Sequence, residues 1–303
     1  MVRNNPVSFN DSDGRNPFLA CFGPSAKQSF KEKIQAESSS LKTSDIPKTI
    51  HLIWIGTGEL SDKNANLSRD TAAKNPDYIT NVIYDSGIKG YEPARDYLIS
   101  TFRGSDVNVV DIRAASYFSS ISSHPAFKYY EEAINAKQYA KASDLLRLSV
   151  LANEGGVYKD IDDTQKEAFG NLSLPGGIGV KRAYTASGDG SKASAIPNTP
   201  IAAIKEHPTI LKTLDLAVRN YQRGEKNILK LAGPDVLTEA LYEDFEILQP
   251  GYFEKWDKIK QEVFKKSKLQ LTIDEVNLLN EPRGKMFSVG AAVTSGADHS
   301  WHS

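Results

Sequence analysis

The stretch "YAKASDLLRLSVLANEGGVYKDIDD", residues 139–163, combines a helical pattern, two glycines and an acidic cluster. Apolar residues recur at helical spacing, and Gly155 and Gly156 end that pattern. The apolar run "GVY" then predicts a short buried strand. We therefore expect a helix that leads directly into a strand, with three carboxylates at the end of that strand: Asp160, Asp162 and Asp163.

The segments on either side alternate between strand and helix patterns. Near-continuous apolar runs predict strands at residues 48–56 ("KTIHLIWIG"), 79–86, 107–112 and 177–182. Helical patterns occupy residues 125–138, 140–153, 207–224 and 233–245. This alternation predicts an α/β fold with a mixed, mostly parallel central sheet flanked by helices.

Composition excludes several classes of protein. The 303 residues are 40% hydrophobic and 25% charged, which is typical of a globular protein with a large core. A net charge of −1 gives no field that favours nucleic acid. The single cysteine, Cys21, excludes an internal disulfide. No apolar run approaches the roughly 18–20 residues that a membrane span needs, and the N-terminus lacks the apolar core of a signal peptide.

Two segments differ from the central α/β pattern. Residues 1–46 are polar and predict a lead segment, partly helical around residues 25–37, ahead of one domain over residues 47–303. Residues 253–268 ("FEKWDKIKQEVFKKSK") predict a locally basic helix. A solvated helix face is the expected role of this helix, and peripheral membrane association is the alternative.

The acidic cluster predicts a cation site. On an extended chain, Asp160 and Asp162 point the same way, about 7 Å apart. Two carboxylates directed into one cleft repel each other unless a cation neutralises them. Oxygen-only ligands favour Mg²⁺ or Mn²⁺, which complete their coordination with substrate phosphates. The pattern D-x-D at a strand end therefore suggests a metal–diphosphate site, and a solvated turn is the alternative.

Two neighbouring features strengthen this interpretation. Asp144 and Arg147 lie three residues apart on one face of the predicted helix, whose end leads into the acidic strand. Arg147 could clamp a diphosphate there, whereas the alternative is an ordinary surface ion pair. Trp54 lies near the end of the strand predicted at residues 48–56. There it could stack on a nucleobase or simply pack in the core.

Three blocks together resemble a known family: "KTIHLIWIG", "YAKASDLLRLSVLANEGGVYKDIDD" and the terminal "DHSWHS". They look like the catalytic domain of the bacterial toxin glycosyltransferases, the group of the large clostridial cytotoxins. The extra Asp163, which gives D-x-D-D, is most similar to insecticidal-toxin members. The resemblance covers roughly residues 47–301 and implies the GT-A type glycosyltransferase fold.

The resemblance assigns roles to individual residues. Ile53 and Trp54 would hold uracil, and Tyr158 would line the nucleotide pocket. Asp144 and Arg147 would hold the donor sugar and the diphosphate. The other donor and metal residues implied by the family are Asp160 for ribose and sugar hydroxyls, Asn198 for the donor sugar, and Asp162 for Mn²⁺. Asp163 either orients Asp162 or is solvated.

The C-terminal segment, residues 294–303, is expected to form a lid that excludes water from the donor. By resemblance, Asp298 and Ser300 would contribute to the metal site, and Ser300 and Trp301 would bind the β-phosphate. His299 is an alternative metal ligand, and a frayed terminus is the alternative to the lid. Gly233-Pro234 in "LAGPDVL" opens a predicted helix and is expected to set a turn that shapes the acceptor side.

The implied activity is a Mn²⁺-dependent transfer from a UDP-sugar to a side-chain hydroxyl, with Asp160, Asp162, Arg147 and Trp301 as catalytic residues. The family resemblance implies UDP-N-acetylglucosamine as donor and a tyrosine of Rho-family GTPases as acceptor. The resemblance also implies retention of configuration. Related arginine-modifying effectors invert instead, and their His-Glu-Asn motif does not occur in this sequence. The protein would then be a secreted toxin or effector that acts in the host cytosol, at the inner plasma membrane where Rho proteins reside.

Other functions remain open at this point. The same family includes glucosyltransferases that modify a threonine of small GTPases. An inactive UDP-sugar-binding protein would keep the binding residues without turnover. A haloacid-type phosphatase also carries clustered aspartates, but it needs them after its first strand, and here the first strand ends in Trp54-Ile55-Gly56.

Overall fold

The computed structural model describes residues 41–182, 184–185, 194–249 and 281–296. The strands among these residues are β1 (Thr43–Asp45), β2 (Thr49–Ile53), β3 (Ile79–Tyr84), β4 (Val107–Asp111), β5 (Gly156–Tyr158), β6 (Thr164–Gln165), β7 (Ser173–Pro175), β8 (Ile178–Val180), β9 (Tyr184–Thr185), β10 (Ser194–Ala195), β11 (Ile201–Ala203) and β12 (Val293–Thr294). The α-helices are α1 (Asp62–Lys74), α2 (Glu92–Phe102), α3 (Phe118–Ser123), α4 (Ala126–Asn135), α5 (Tyr139–Glu154), α6 (Pro208–Gln222), α7 (Ile228–Leu231), α8 (Pro234–Asp244) and α9 (Ser288–Ala291). Residues 281–286 are also helical.

A six-stranded sheet forms the centre of the fold, in the order β4-β3-β2-β5-β11-β8. The strands β4, β3, β2 and β5 run parallel, whereas β11 is antiparallel to both of its neighbours. The predicted α/β class with a mixed, mostly parallel sheet is therefore confirmed. Because parallel neighbours end at the same edge of the sheet, the residues that follow β2 and β5 gather at one place.

The apolar run of β2 is buried on both faces. Leu52 is 0% exposed and Ile53 is 1% exposed, although their side chains point to opposite sides of the sheet. This double burial is typical of a central parallel strand covered by helices. It explains why "HLIWI" reads as a continuous apolar run rather than as an alternation.

Helix α5 is buried along most of its length, since every residue from Ala142 to Ala152 is buried. It packs against α4, α6 and the strands β2 and β5. Two of its buried residues, Asp144 and Arg147, carry charges. Burying a charge costs several kcal/mol unless it pairs with a partner of opposite sign and makes hydrogen bonds. The fold must therefore supply partners for both residues.

Two glycines allow α5 to turn directly into β5. Gly155 and Gly156 have φ angles of +65° and +92°. A Cβ on Gly155 would lie 2.6 Å from the main-chain nitrogen of Lys205, and one on Gly156 would lie 2.5 Å from the carbonyl oxygen of Thr49. Only glycine fits this tight connection without displacing the backbone. Because α5 runs back along β5, its first half lies toward the carboxyl end of that strand.

A short antiparallel ladder brings the C-terminal segment to the acidic cluster. In this ladder β12 pairs with β6, with Thr294 opposite Thr164. Thr164 follows Asp163 directly, so the residues after Thr294 lie beside the end of the cluster. Similar two-stranded ladders join β1 with β7 and β9 with β10.

The chain divides into two units, and the larger one comprises residues 42–248 and 284–303. It includes the ladder of β1 with β7 and the whole central sheet. The expected boundary between a lead segment over residues 1–46 and one domain over residues 47–303 stays a proposal. The helices expected at residues 25–37 and 253–268, and the lid residues 297–303, lie outside the described residues. No described helix combines the length and the apolar character that crossing a bilayer would require.

Candidate active site

The acidic cluster forms a tight turn after β5. The amide of Asp163 donates to the carbonyl oxygen of Asp160 at 3.1 Å. The ammonium of the buried Lys159 donates to the carbonyl oxygens of Asp163 at 2.6 Å and Asp160 at 3.3 Å. The extended chain expected over these residues is therefore wrong, because the strand ends at Tyr158 and Lys159 draws the two ends of the turn together. The three carboxylates consequently have different neighbours.

Arg147 connects the helix to this turn. Its guanidinium lies 3.0 Å from the carboxylate of Asp144 and 3.2 Å from that of Asp160. It also donates to the carbonyl oxygen of Asn198 at 3.0 Å, and it stacks 4.5 Å from the ring centre of Tyr158. The D-x-x-R and D-x-D motifs thus meet in one buried network, which supplies the partners that α5 requires.

Asp160 is held through one of its two carboxylate oxygens. The Tyr158 hydroxyl donates to Oδ1 at 2.5 Å, and Arg147 approaches the same oxygen. Burial raises the pKa of Tyr158 well above its usual value, so the hydroxyl stays protonated and acts as a donor. Among the described residues, Oδ2 of Asp160 has no hydrogen-bond partner, which leaves it able to accept from a ligand hydroxyl.

Asn198 lies against the same helix. Its Nδ2 donates to Asp144 Oδ1 at 2.8 Å, while its main-chain oxygen accepts from Arg147. Burial raises the pKa of Asp144 to about 6; the charge of Asp160 adds to this rise, and Arg147 and Asn198 oppose it. Asp144 is therefore ionised at neutral pH and can accept a hydrogen bond.

The raised pKa of Asp144 predicts a pH dependence of stability. Its carboxyl has an ordinary pKa of 3.8 in an unfolded chain and about 6 in the folded protein. The native state thus holds the proton more tightly than the unfolded chain does. The resulting contribution of Asp144 to the unfolding free energy is complete below about pH 4 and is lost as the pH rises through 6. This corresponds to about 3 kcal/mol of unfolding free energy. Urea titrations from pH 4 to 7 should show this decline.

The variant Asp144→Asn should flatten the decline between pH 4 and 6, because it removes the titrating group. Asp77→Asn is the matched control, since the Asp77 side chain is 79% exposed. An equal slope in wild type and Asp144→Asn would show that another group causes the effect.

A cavity of about 410 Å³ opens beside Asn198. It is lined by Lys181, Arg182, Pro197, Asn198, Pro234 and Ser295. Pro234, which begins α8, lines this cavity. A role of the turn at Gly233-Pro234 on the acceptor side stays a prediction. The cavity lies next to the network around Arg147, because Asn198 belongs to both.

Asp162 and Asp163 lie on the side of the turn that faces the C-terminal segment. Asp162 is half-buried, and Gly296 packs so closely that any side chain there would overlap the Asp162 carboxylate. Asp163 is 1% exposed, which excludes the solvated alternative for this residue. Burial and the charge of Asp160 raise the pKa of Asp163, whereas hydrogen bonds from Thr199 and Gly296 lower it.

Asp162 offers oxygen ligands of the kind that a divalent metal ion binds, and Gly296 lies directly against its carboxylate. In the described part of the chain, no three His, Cys, Asp or Glu side chains converge as a complete metal site. Asp298, His299, Ser300 and Trp301, which were expected to contribute, lie outside the described residues.

The strand β2 ends beside this network. The Ile53 side chain is buried in the sheet, so contact with a base would have to use its main chain. Trp54 is half-buried against the core, and its Nε1 donates to the carbonyl oxygen of Gly58 at 3.0 Å. One part of the indole is thus fixed by the protein, which holds the ring at the edge of the sheet.

Sequence reasoning missed three residues that build the site: Lys159, Thr199 and Gly296. Lys159 sets the turn, Thr199 donates to Asp163, and Gly296 adjoins Asp162. The glycine and the threonine are common loop residues, so neither carries a signal by itself. Only the position of Thr199 next to Asn198 could have suggested a role.

Comparisons with known proteins agree with this geometry. A family model described as "Glycosyltransferase sugar-binding region containing DXD motif" matches residues 61–174. A toxin of Photorhabdus asymbiotica is 48% identical over 290 residues, which cover 91% of this chain and 10% of that toxin. Toxin Afp18 of Yersinia ruckeri is 46% identical over 286 residues, covering 90% and 13%. The chain therefore spans about a tenth of the length of these curated relatives.

The chain matches one solved structure over the whole length of that structure. The PaToxG glycosyltransferase is 46% identical and superposes with a TM-score of 0.83, covering 92% of this chain and 100% of that one. The glycosyltransferase fold implied by the motifs is thus confirmed. Given this identity over a complete domain, together with the D-x-D family match, the chain belongs to the bacterial toxin glycosyltransferases.

Proposed function

We propose that this protein transfers a sugar, N-acetylglucosamine, from a UDP-sugar to a side-chain hydroxyl of a host protein. The observation that carries the proposal is the buried network in which Arg147 joins Asp144, Asp160 and Asn198 at the carboxyl edge of the sheet. It places an amide and two carboxylates around one point beside a cavity. Such a set of acceptors and donors suits a polyhydroxylated sugar.

Within this site each residue has a distinct task. Asp160 accepts a hydrogen bond from a hydroxyl of the ribose or the donor sugar through its second carboxylate oxygen, Oδ2. Asp144 and Asn198 contact the donor sugar from the side of α5. The half-buried Trp54 stacks on uracil, because base stacking needs one accessible ring face.

The geometry changes the role expected for Arg147. Its guanidinium already contacts two carboxylates and a carbonyl oxygen, and its side chain is 5% exposed. Two negative partners neutralise its charge, so little attraction remains for a diphosphate. We propose that Arg147 orients Asp144 and Asp160 for the sugar instead of clamping the leaving group.

Asp162, together with Asp298 and Ser300, would hold the metal ion, Mn²⁺ or Mg²⁺. When bound, the ion acts as a Lewis acid that stabilises the charge of the departing UDP. Trp301 would cover the diphosphate as part of the lid over residues 294–303 and exclude water, because hydrolysis competes with transfer. No His-Glu-Asn motif occurs, which agrees with a retaining reaction.

The acceptor that we propose is a tyrosine of a Rho-family GTPase. The two relatives named above are toxins, which supports a secreted protein. The place of action that we propose is the host cytosol, at the inner plasma membrane. A glucosyltransferase that modifies threonine and an inactive UDP-sugar-binding protein are the alternatives. The sugar that the protein transfers and the residue that it modifies distinguish these functions.

Donor assays separate these possibilities. Incubation with UDP-N-acetylglucosamine or UDP-glucose and Mn²⁺ should release UDP, with faster release from UDP-N-acetylglucosamine. Preference for UDP-glucose would favour the alternative transferase. Binding of UDP without any release, with a Rho GTPase present, would identify an inactive binder and overturn the proposal.

Trp54→Ala should raise the KM for the donor more than it lowers kcat, because stacking holds the base equally in the ground and transition states. We expect a loss of about 1–3 kcal/mol in donor binding. Trp54→Phe is the matched control: it also loses the bond to Gly58 but keeps a ring, so it should retain most of the affinity. Steady-state kinetics with varied donor measure both. Equal losses in the two variants, or failure of both to fold, would assign Trp54 to the core.

A further inference from the structure

Asp163, the last residue of the acidic cluster, makes two hydrogen bonds to distant parts of the chain. Its Oδ2 accepts from the Thr199 hydroxyl at 2.7 Å, and its Oδ1 accepts from the amide of Gly296 at 2.8 Å. These partners lie 36 and 133 residues away in sequence. The carboxylate is buried, so water does not replace either bond readily.

Thr199 extends this connection to the donor side of the site. The Thr199 hydroxyl donates to Asp163 and accepts from the amide of Asp160 at 2.9 Å. Its neighbour Asn198 contacts Asp144 and Arg147. The carboxylate of Asp163 is therefore linked to the segment that faces the donor sugar.

Gly296 extends it to the C-terminal segment. The ladder of β12 with β6 ends at Thr294, so the bond to Asp163 attaches the chain two residues beyond the ladder. At this point the chain lies against Asp162, with no room for a side chain at residue 296. The carboxylate of Asp163 therefore fixes the main chain at the residue that adjoins Asp162, which we assign to the metal.

We infer that Asp163 is a positioning residue, which anchors Gly296 against Asp162 and links this contact through Thr199 to the turn at Asp160. This inference rests on the proposed function, because it gives the anchor at Gly296 a task in transfer. Both oxygens of Asp163 already accept hydrogen bonds from the protein, so the role that we assign to this residue is to hold those two partners in place. The fourth position of D-x-D-D thus joins the other parts of the site.

Amide hydrogen exchange of the ligand-free protein tests the anchor without any turnover. Asp163→Ala should raise the exchange rate of the Gly296 amide about tenfold or more, because its acceptor is lost. Asp163→Asn should keep most of the protection: its Oδ1 can still accept from Gly296 while its amide donates to Thr199. Thr199→Val removes the bond to Asp163 and the bond from the Asp160 amide but spares the bond from Gly296, so the exchange of Gly296 should stay close to wild type.

Transfer kinetics test the task of the anchor. Asp163→Ala should lower kcat about tenfold or more while the donor KM changes less, and Asp163→Asn should restore much of the rate. If Asp163→Ala does not fold, Asp163→Ser serves in its place, because a serine hydroxyl is too short to bridge both partners. Unchanged exchange at Gly296, or equal losses in the alanine (or serine) and asparagine variants, would overturn the anchor.

The outcomes also separate this inference from the proposed function. If the wild type shows no transferase activity but Asp163→Ala still loses protection at the Gly296 amide, the proposed function and the task of the anchor are refuted. The hydrogen bond between Asp163 and Gly296 is then still supported. Full transferase activity in Asp163→Ala would refute the task while leaving the proposed function intact.

Discussion

Asp162→Asn should abolish sugar transfer while the protein stays folded. An amide cannot supply the negative charge that holds a divalent metal, and loss of that ion removes several kcal/mol of charge stabilisation, or about a hundredfold or more in rate. The fold should survive because Asp162 lies in an acidic turn, where removing one charge relieves repulsion. Transfer rates at saturating Mn²⁺ and thermal unfolding measure the two effects.

Asp77→Asn provides the matched control, since it makes the same chemical change at a side chain that is 79% exposed. It should leave both transfer and stability unchanged. Near-normal turnover of Asp162→Asn at saturating Mn²⁺ would show that the metal assignment is wrong.

Arg147→Ala should cause the largest loss of stability. The change would leave the buried carboxylates of Asp144 and Asp160 without their cation, and Tyr158 without its stacking partner. Removing one partner of a buried ion pair costs about 3–5 kcal/mol. Urea unfolding at pH 7 measures this loss, and donor binding should disappear together with the oriented carboxylates.

Arg147→Lys should recover only part of the stability, because one ammonium cannot contact all the acceptors that the planar guanidinium contacts. Arg103→Ala, at an exposed position, controls for the loss of a positive charge and should be neutral. A loss below about 1 kcal/mol in Arg147→Ala, the range of a surface ion pair, would mean that the network is not a buried one.

The parallel part of the central sheet could be predicted because its signals are local, whereas β11 was not predicted. The apolar run of β2 and the helical pattern of α5 each lie within one short stretch, and burial follows from their composition. The glycines between α5 and β5 also fixed how Asp144 and Arg147 approach the aspartates. Sequence reasoning therefore brought the D-x-x-R and D-x-D motifs to one edge of the sheet, where the structure has them.

The arrangement of the carboxylates could not be predicted in the same way. Alternation along a strand assumes that the chain stays extended, but the bonds of Lys159 close a turn over residues 160–163. The burial of Asp163 depends on Thr199 and Gly296, which only the tertiary fold brings near. Arg147 contacts two carboxylates and a carbonyl oxygen that the tertiary fold brings together. Its spacing to Asp144 alone does not predict these contacts.

The proposed transfer is tested by the intact mass of a Rho-family GTPase after incubation with the protein, UDP-N-acetylglucosamine and Mn²⁺. We expect the GTPase to gain the mass of one N-acetylhexosamine, with the sugar on a tyrosine, and we expect no gain when Asp162→Asn replaces the wild type. An unmodified GTPase, together with no UDP release from any UDP-sugar, would contradict the account.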